Sequence, residues 1–159
     1  MPDKTNHRRP LVLVADPNAG SVAMIRRQLL WSGYDVVSAS TGTKVLQILA
    51  ERRVDGAVLE VTMEGHTGYE VVRQLRARPQ TQLMPVMLIS ARAGKLDRDF
   101  AFTVGADDYV KKPFRTADLA ARLALLLPTP AAPLPLAPVK PIARRRSRST
   151  TPLQPVLAR

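Results

Sequence analysis

Between residues 11 and 127 the chain alternates, five times over, a short apolar run with a longer segment whose apolar residues recur at intervals of three and four. The short runs, bounded by turn residues, read as strands, and the longer spacing reads as helices. A chain with that rhythm buries both kinds of element by placing helices on both faces of a parallel sheet, joined by right-handed crossovers. The expected fold is therefore α/β, a doubly wound five-stranded parallel sheet built from five βα units.

The first strand is Leu11-Val12-Leu13-Val14-Ala15, apolar throughout and so buried on both faces. Asn18 is placed to cap the next helix, where Val22, Ile25 and Leu29 form the inward stripe before Ser32-Gly33 ends it. A second strand runs over residues 35–39. Ser40 or Thr41 can cap the helix at residues 42–51, with Val45, Ile48 and Leu49 facing in. Ala57-Val58-Leu59 is the third strand and is followed by a loop holding Gly65 and Gly68. The helix at residues 69–78 turns Val71, Val72 and Leu75 inward and is closed by Pro79. Val86-Met87-Leu88-Ile89 is the fourth strand. The helix at residues 95–104 carries Leu96, Phe100 and Val104 at four-residue spacing and stops at Gly105. A very short strand at residues 108–110 and a last helix over 116–127, with Leu119, Leu123 and Leu126 on one side, complete the pattern.

Charge divides the chain differently. The formal net charge is +11, but residues 1–127 hold 18 basic and 13 acidic residues, whereas residues 128–159 hold six basic and no acidic ones. Eight prolines fall in that last stretch and prevent helix or sheet interior there. The division expected is a disordered lead at 1–10, a domain at 11–127, and a disordered, Pro-rich basic tail at 128–159. With no cysteine, disulfides, thiolate metal sites and a cysteine nucleophile are excluded. The only imidazoles are His7 and His66, and His66 reads as an exposed loop residue rather than a metal ligand. The opening lacks a signal-peptide core and no apolar run is long enough to span a bilayer, so a cytoplasmic location is expected.

An open parallel sheet binds its ligand outside the carboxyl ends of its strands. Collected there are Asp16 after the first strand, Glu60 after the third, Ser90 after the fourth and Lys112 after the fifth. Two carboxylates can hold a hard cation, weakly Mg2+ at Asp16 and Glu60, while a hydroxyl and an ammonium suit phosphate oxygens. Each also has a plainer role: Asp16 as a helix cap, Ser90 bonding its own loop, Glu60 as a solvated loop acid, Lys112 as a surface lysine.

On these residues the chain resembles the receiver domains of two-component response regulators, across residues 11–127. Ala15-Asp16 matches the acidic pair that ends the family's first strand. Glu60, with Met63 and Gly68, matches the acceptor position. Ser90-Ala91 matches the Thr/Ser-Ala step, and Lys112-Pro113-Phe114 the Lys-Pro-Phe motif, with Tyr109 as the switch aromatic. The resemblance implies a signalling domain rather than an enzyme, with no catalytic residue of its own. The departures are Glu60 in place of the acceptor Asp, Ala15 in place of one acid of the pair, and Glu64 in place of a proline. One added methylene displaces a carboxylate by roughly 1 Å, a misplacement able to cost on the order of a hundredfold in rate. The expectation is a degenerate phosphoacceptor pocket in which Glu60 either reaches toward Lys112 and Ser90 or points aside, Mg2+ is held at most weakly at Asp16 and Glu60, and no cofactor is needed.

Partners are expected on the surface. The face built by the helix at 95–104, the strand of Tyr109 and the last helix carries Arg98, Lys111, Arg115 and Arg122 beside Asp97, Asp99 and Asp118. Mixed charge of this kind selects register and partner. It suits a signalling protein or a second copy of the chain. The competing reading is nucleic-acid or acidic-surface binding through Lys140, Arg144, Arg145, Arg146 and Arg148, nonspecific and steeply salt-dependent. A third is an ordinary phosphorylatable single-domain regulator. An enzyme of another doubly wound type is disfavoured, because Asp16-Pro17-Asn18-Ala19-Gly20 offers no glycine-rich phosphate cradle after the first strand.

Overall fold

The structure, a computed structural model, describes residues 8–92 and 94–128. Five strands alternate with five helices: β1 (Leu11–Ala15), α1 (Ala19–Trp31), β2 (Asp35–Ala39), α2 (Gly42–Glu51), β3 (Gly56–Glu60), α3 (Gly68–Arg76), β4 (Val86–Ser90), α4 (Lys95–Val104), β5 (Asp108–Lys111) and α5 (Thr116–Ala124). All neighbours are parallel, in the order β2-β1-β3-β4-β5. The reversal of strand order between β1 and β3 opens a crevice at their carboxyl ends, which is where such sheets hold ligands.

Strands β1, β3 and β4 are buried at every residue, as their unbroken apolar runs require. Alternate side chains feed two cores. Val12, Val14, Val58, Met87 and Ile89 meet Ile25 and Leu29 of α1 and Leu119 and Leu123 of α5. Leu13, Leu59 and Leu88 meet Val45 and Ile48 of α2, Val71, Val72 and Leu75 of α3, and Ala101 of α4. Asn18 and Thr41 cap α1 and α2 through their side chains, and Gly33 and Gly105 take the positive φ that stops the chain after α1 and α4. No helix among the described residues is long and apolar enough to cross a membrane.

Several expectations need correction. The lead does not run to residue 10. Arg8 donates to both Asp55 carboxylate oxygens at 2.9 Å, Arg9 donates to the Leu30 and Tyr34 carbonyls at 2.8 and 3.0 Å, and the Pro10 carbonyl accepts from Asp35. Two guanidiniums so engaged fix the chain before β1 begins. Strand β3 is one residue longer at each end than the run Ala57–Leu59, so that Glu60 is its last residue. Helix α5 ends at Ala124, three residues early, with Leu126 and Leu127 packing from the following turn. Of the α4 residues at four-residue spacing, Val104 packs against the core, whereas Leu96 is 83% and Phe100 43% exposed, and Ala101 is the residue α4 buries. The tail and its patch, Lys140, Arg144, Arg145, Arg146 and Arg148, lie outside the described residues, as does His7.

Candidate functional site

Because β1 and β3 are adjacent and in register, Ala15 opposite Leu59, the residues that follow emerge side by side. Asp16 is 2% exposed. Its backbone N–H continues the ladder to the Ala39 carbonyl at 3.2 Å, and its Oδ1 accepts from the Asn18 N–H at 2.8 Å. Glu60 is 7% exposed, and its Oε1 accepts from the Thr62 N–H at 3.1 Å. Each acid thus spends one oxygen on its own loop, and this orients the other.

Those other oxygens meet on Lys112. Its Nζ lies 2.5 Å from Asp16 Oδ2 and 2.5 Å from Glu60 Oε2. The ammonium arrives from the opposite side of the crevice because the Lys112 N–H donates to the Ser90 carbonyl at 2.8 Å, which places the residue just past β5. The Lys112–Pro113 peptide that follows is cis. Burial alone would depress the lysine, but hydrogen bonds and charge from Asp16 and Glu60 outweigh it and hold Lys112 above the ordinary lysine range. One cation faces two carboxylates, so the cluster carries a net charge of −1.

Ser90 ends β4 and is buried, but its Oγ accepts from the Arg92 N–H at 3.0 Å. The structure therefore brings Asp16, Glu60 and Lys112 into direct contact and sets Ser90 beside them with its hydroxyl held by its own loop. Beyond it, Tyr109 is fully buried and its hydroxyl donates to the Arg92 carbonyl, tying β5 to the loop after β4. Tyr69 of α3 stacks edge-on against Phe100 of α4 at 4.8 Å. The Tyr69 hydroxyl donates to the Asp97 carbonyl at 3.4 Å, and burial, with the Tyr109 hydroxyl beside it, pushes it up to about 12. A continuous line of contacts thus leads from the pocket loop through two tyrosines to α4.

The side-chain oxygens that a divalent ion such as Mg2+ would meet here are those of Asp16 and Glu60. That ion takes oxygen ligands at about 2.0–2.1 Å in near-octahedral geometry. Here the place between the two carboxylates is taken by the Lys112 ammonium, Ala15 supplies no oxygen from its side chain, and no three His, Asp or Glu residues gather among the described residues.

The surface expected to meet partners is partly committed already. Arg122 donates to both Asp108 oxygens at 2.8 and 2.7 Å, so it braces α5 against β5. Asp97 turns back to the Gly94 N–H as a helix cap, and Lys95 pairs with Asp99. Arg98, Lys111 and Arg115 remain exposed. The hub that the sequence did not disclose is Arg76 at the end of α3. It donates to the carbonyls of Gly105, Thr81, Gln82 and Met84 and to Asp107, whose carboxylate also accepts the Val86 N–H. Only its place in the last turn of a helix hinted at a role with carbonyls.

A model of the response regulator receiver domain matches residues 12–124. Among curated proteins, the transcriptional regulatory protein PrrA of Mycobacterium tuberculosis is 40% identical over 118 residues, covering 74% of this chain and 50% of PrrA. The response regulator MprA of Mycobacterium sp. strain KMS is 37% identical over 116 residues, covering 73% of this chain and 50% of MprA. The chain spans about half the length of the curated relatives it matches. Among solved structures, the chemotaxis response regulator CheY4 of Vibrio cholerae superposes with a TM-score of 0.72 at 26% identity, covering 76% of this chain and all of that one. The receiver domain of a Francisella response regulator gives 0.69 at 28% identity, covering 74% of this chain and 95% of that one.

Proposed function

The chain belongs to the response regulator receiver domain family of two-component signalling, and from that premise we propose that it is an atypical receiver which signals by docking to a protein without being phosphorylated. The observation that carries the proposal is the single Lys112 ammonium, 2.5 Å from the carboxylate at the acceptor position and 2.5 Å from that of Asp16. An acceptor carboxylate has to present a free oxygen in line with an incoming phosphoryl group. Glu60 presents none, since Oε1 takes the Thr62 N–H and Oε2 takes Lys112. The pair instead supplies a fixed charge arrangement that holds one state of the loop after β3. Tyr109, buried and bonded to Arg92, then acts as the switch aromatic frozen in a single position. The docking surface is the exposed part of the α4–β5–α5 face, Arg98, Lys111 and Arg115, offered to a signalling partner or a second copy.

The test is incubation of the full chain with a small phosphodonor and Mg2+, read as mass gain on the intact protein. No gain is expected for the wild type, and gain is expected for an A15D/E60D double variant, which restores the acidic pair and the shorter acceptor. Ready incorporation at Glu60 or Asp16 of the wild type overturns the reading in favour of an ordinary phosphorylatable regulator.

A second reading has its own support in the six basic residues of 128–159 and in relatives described as transcriptional regulatory proteins. In it, the tail residues Lys140, Arg144, Arg145, Arg146 and Arg148 contact nucleic acid. Binding to duplex DNA that falls steeply with salt and disappears when the four arginines are replaced by serine supports it.

A further inference from the structure

Two basic side chains that the receiver pocket does not use, Arg26 on α1 and Lys44 in the first turn of α2, open onto one cleft of about 490 Å3 beside the end of β2. The cleft exists for two reasons. Strand β2 is an edge of the sheet, with no further strand beside it among the described residues, and α1 turns Ala19 and Ala23 toward the gap, side chains too short to fill it. Ser38 and Ser40 supply hydroxyls, and both are exposed to the opening. Val22, Pro17 and Ala39 supply an apolar wall.

The charges in this cleft are poorly answered by the protein. Arg26 takes part in none of the ion pairs found among the described residues. The Lys44 ammonium donates to a neutral acceptor, Gln47 Oε1, at 3.3 Å. Asp16 is the one acid on the lining, and its two oxygens are already taken by the Asn18 N–H and by Lys112. A guanidinium and an ammonium, with two hydroxyl donors on the same lining, are the groups that bind a multiply charged tetrahedral oxyanion. The volume exceeds what a bare phosphate needs and lies within the range of small-ligand sites, and the apolar wall gives an organic body somewhere to lie. There is no aromatic ring on the lining for a nucleobase to stack against.

We infer that this cleft is a binding site for a small phosphate monoester, with Arg26 and Lys44 on the phosphate, Ser38 and Ser40 completing its hydrogen bonds, and the organic group against Val22 and Pro17. Asp16 is a wall of both the cleft and the receiver pocket, so an occupant is felt at the Lys112 cluster without any covalent step. The site does not depend on whether Glu60 accepts a phosphoryl group.

The experiment is an amide-resolved NMR titration of the labelled full chain with glycerol 3-phosphate, inorganic phosphate and sulfate in turn. Saturable shifts centred on Ser38, Ser40 and Lys44 are expected, with glycerol 3-phosphate binding more tightly than inorganic phosphate or sulfate. Arg26→Gln and Lys44→Gln, both on exposed side chains, each weaken binding by about tenfold, the loss of one charge-assisted contact. Ser38→Ala with Ser40→Ala weakens it less. A variant with Arg144, Arg145, Arg146 and Arg148 replaced by serine keeps the shifts. Shifts that stay linear throughout, that survive the R26Q/K44Q double substitution, or that vanish with the tail arginines overturn the inference. Equal response to all three anions marks an adventitious ion only and overturns it as well.

Discussion

The two ends of the sheet use charge in opposite ways. At the amino ends of the strands, carboxylates and guanidiniums serve the backbone. Asp55 accepts the first N–H of β1 at 2.7 Å and Asp107 accepts the first N–H of β4 at 2.8 Å, and each acid is covered by an arginine, Arg8 and Arg76. At the carboxyl ends, Lys112 serves no carbonyl but sits between two acids that outnumber it. A cluster that satisfies backbone groups stabilises whichever residues surround it, whereas one in which two acids share a single cation is poised to respond to something else. The same interaction therefore marks the scaffold at one end and the functional site at the other.

The contrast breaks most directly on stability. Arg76→Met removes the donor to four carbonyls and to Asp107. Water replaces part of this, since the Arg76 and Asp107 side chains are 21% and 40% exposed. A loss of about 3 kcal/mol is expected in urea unfolding, from several charge-assisted bonds of which some are re-solvated. Glu60→Gln removes the surplus negative charge and leaves Asp16 paired with Lys112, so a change within about 1 kcal/mol is expected. If Glu60→Gln costs as much as Arg76→Met, the pocket is scaffold and the distinction is wrong.

Lys112 sharpens the comparison through pH. Lys112→Met leaves two buried carboxylates facing each other, at an expected cost of about 2 kcal/mol at pH 7, less than for a fully buried pair because the lysine is 23% exposed. The pKa of Lys112 is raised in the folded state, so its contribution is complete below the unfolded value, about 10.4, and is lost as pH climbs through the folded one. The stability gap between wild type and Lys112→Met is therefore expected to be flat from neutrality to about pH 10 and to close above it. Denaturation midpoints of the two proteins across that range provide the check, and a gap that closes below neutrality contradicts the ion-pair account.

How much of this was legible in the sequence follows the same division. Strand β1, helix α2 and helix α4 could be bounded from local signals alone, because unbroken apolar runs, a Thr41 cap and a Gly105 stop are read within a few residues. Asp16, Glu60 and Lys112 could be assembled because each ends or directly follows a strand and strands of a parallel sheet share an end. Ser90 could be placed there too, but not the commitment of its hydroxyl to Arg92, which depends on how the loop turns. Arg76 could not be found, since its acceptors come from residues 81–84, Gly105 and Asp107 and no periodicity connects them. The roles of Arg8 and Arg9 escape local reading for the same reason, since their partners lie 47 and 21 residues away. On helix α4 the four-residue spacing shows that a stripe exists, not whether the sheet or the solvent receives it.

The smallest effect lies where the two kinds of charge meet, at the start of α3 directly after the pocket loop. Thr67 Oγ1 accepts from the Glu70 N–H at 3.2 Å while the Glu70 carboxylate accepts from the Thr67 N–H at 2.7 Å, a reciprocal cap that satisfies two otherwise open donors. The bond from the Thr67 N–H holds Glu70 below its usual carboxylate range. A depressed acid contributes stability above its unfolded pKa and loses it as pH falls through the folded value, so this cap weakens only in acid. Thr67→Ala is expected to cost about 1 kcal/mol at neutral pH, seen as a lower urea midpoint with unchanged slope. The mass-gain assay is expected to read the same for Thr67→Ala as for wild type, because Gly68 N–H still donates to the Val61 carbonyl at 2.8 Å and anchors the loop next to Glu60. Should Thr67→Ala instead open the chain to phosphoryl transfer, then the cap helps hold Glu60 against Lys112, and this scaffold element of α3 belongs to the pocket.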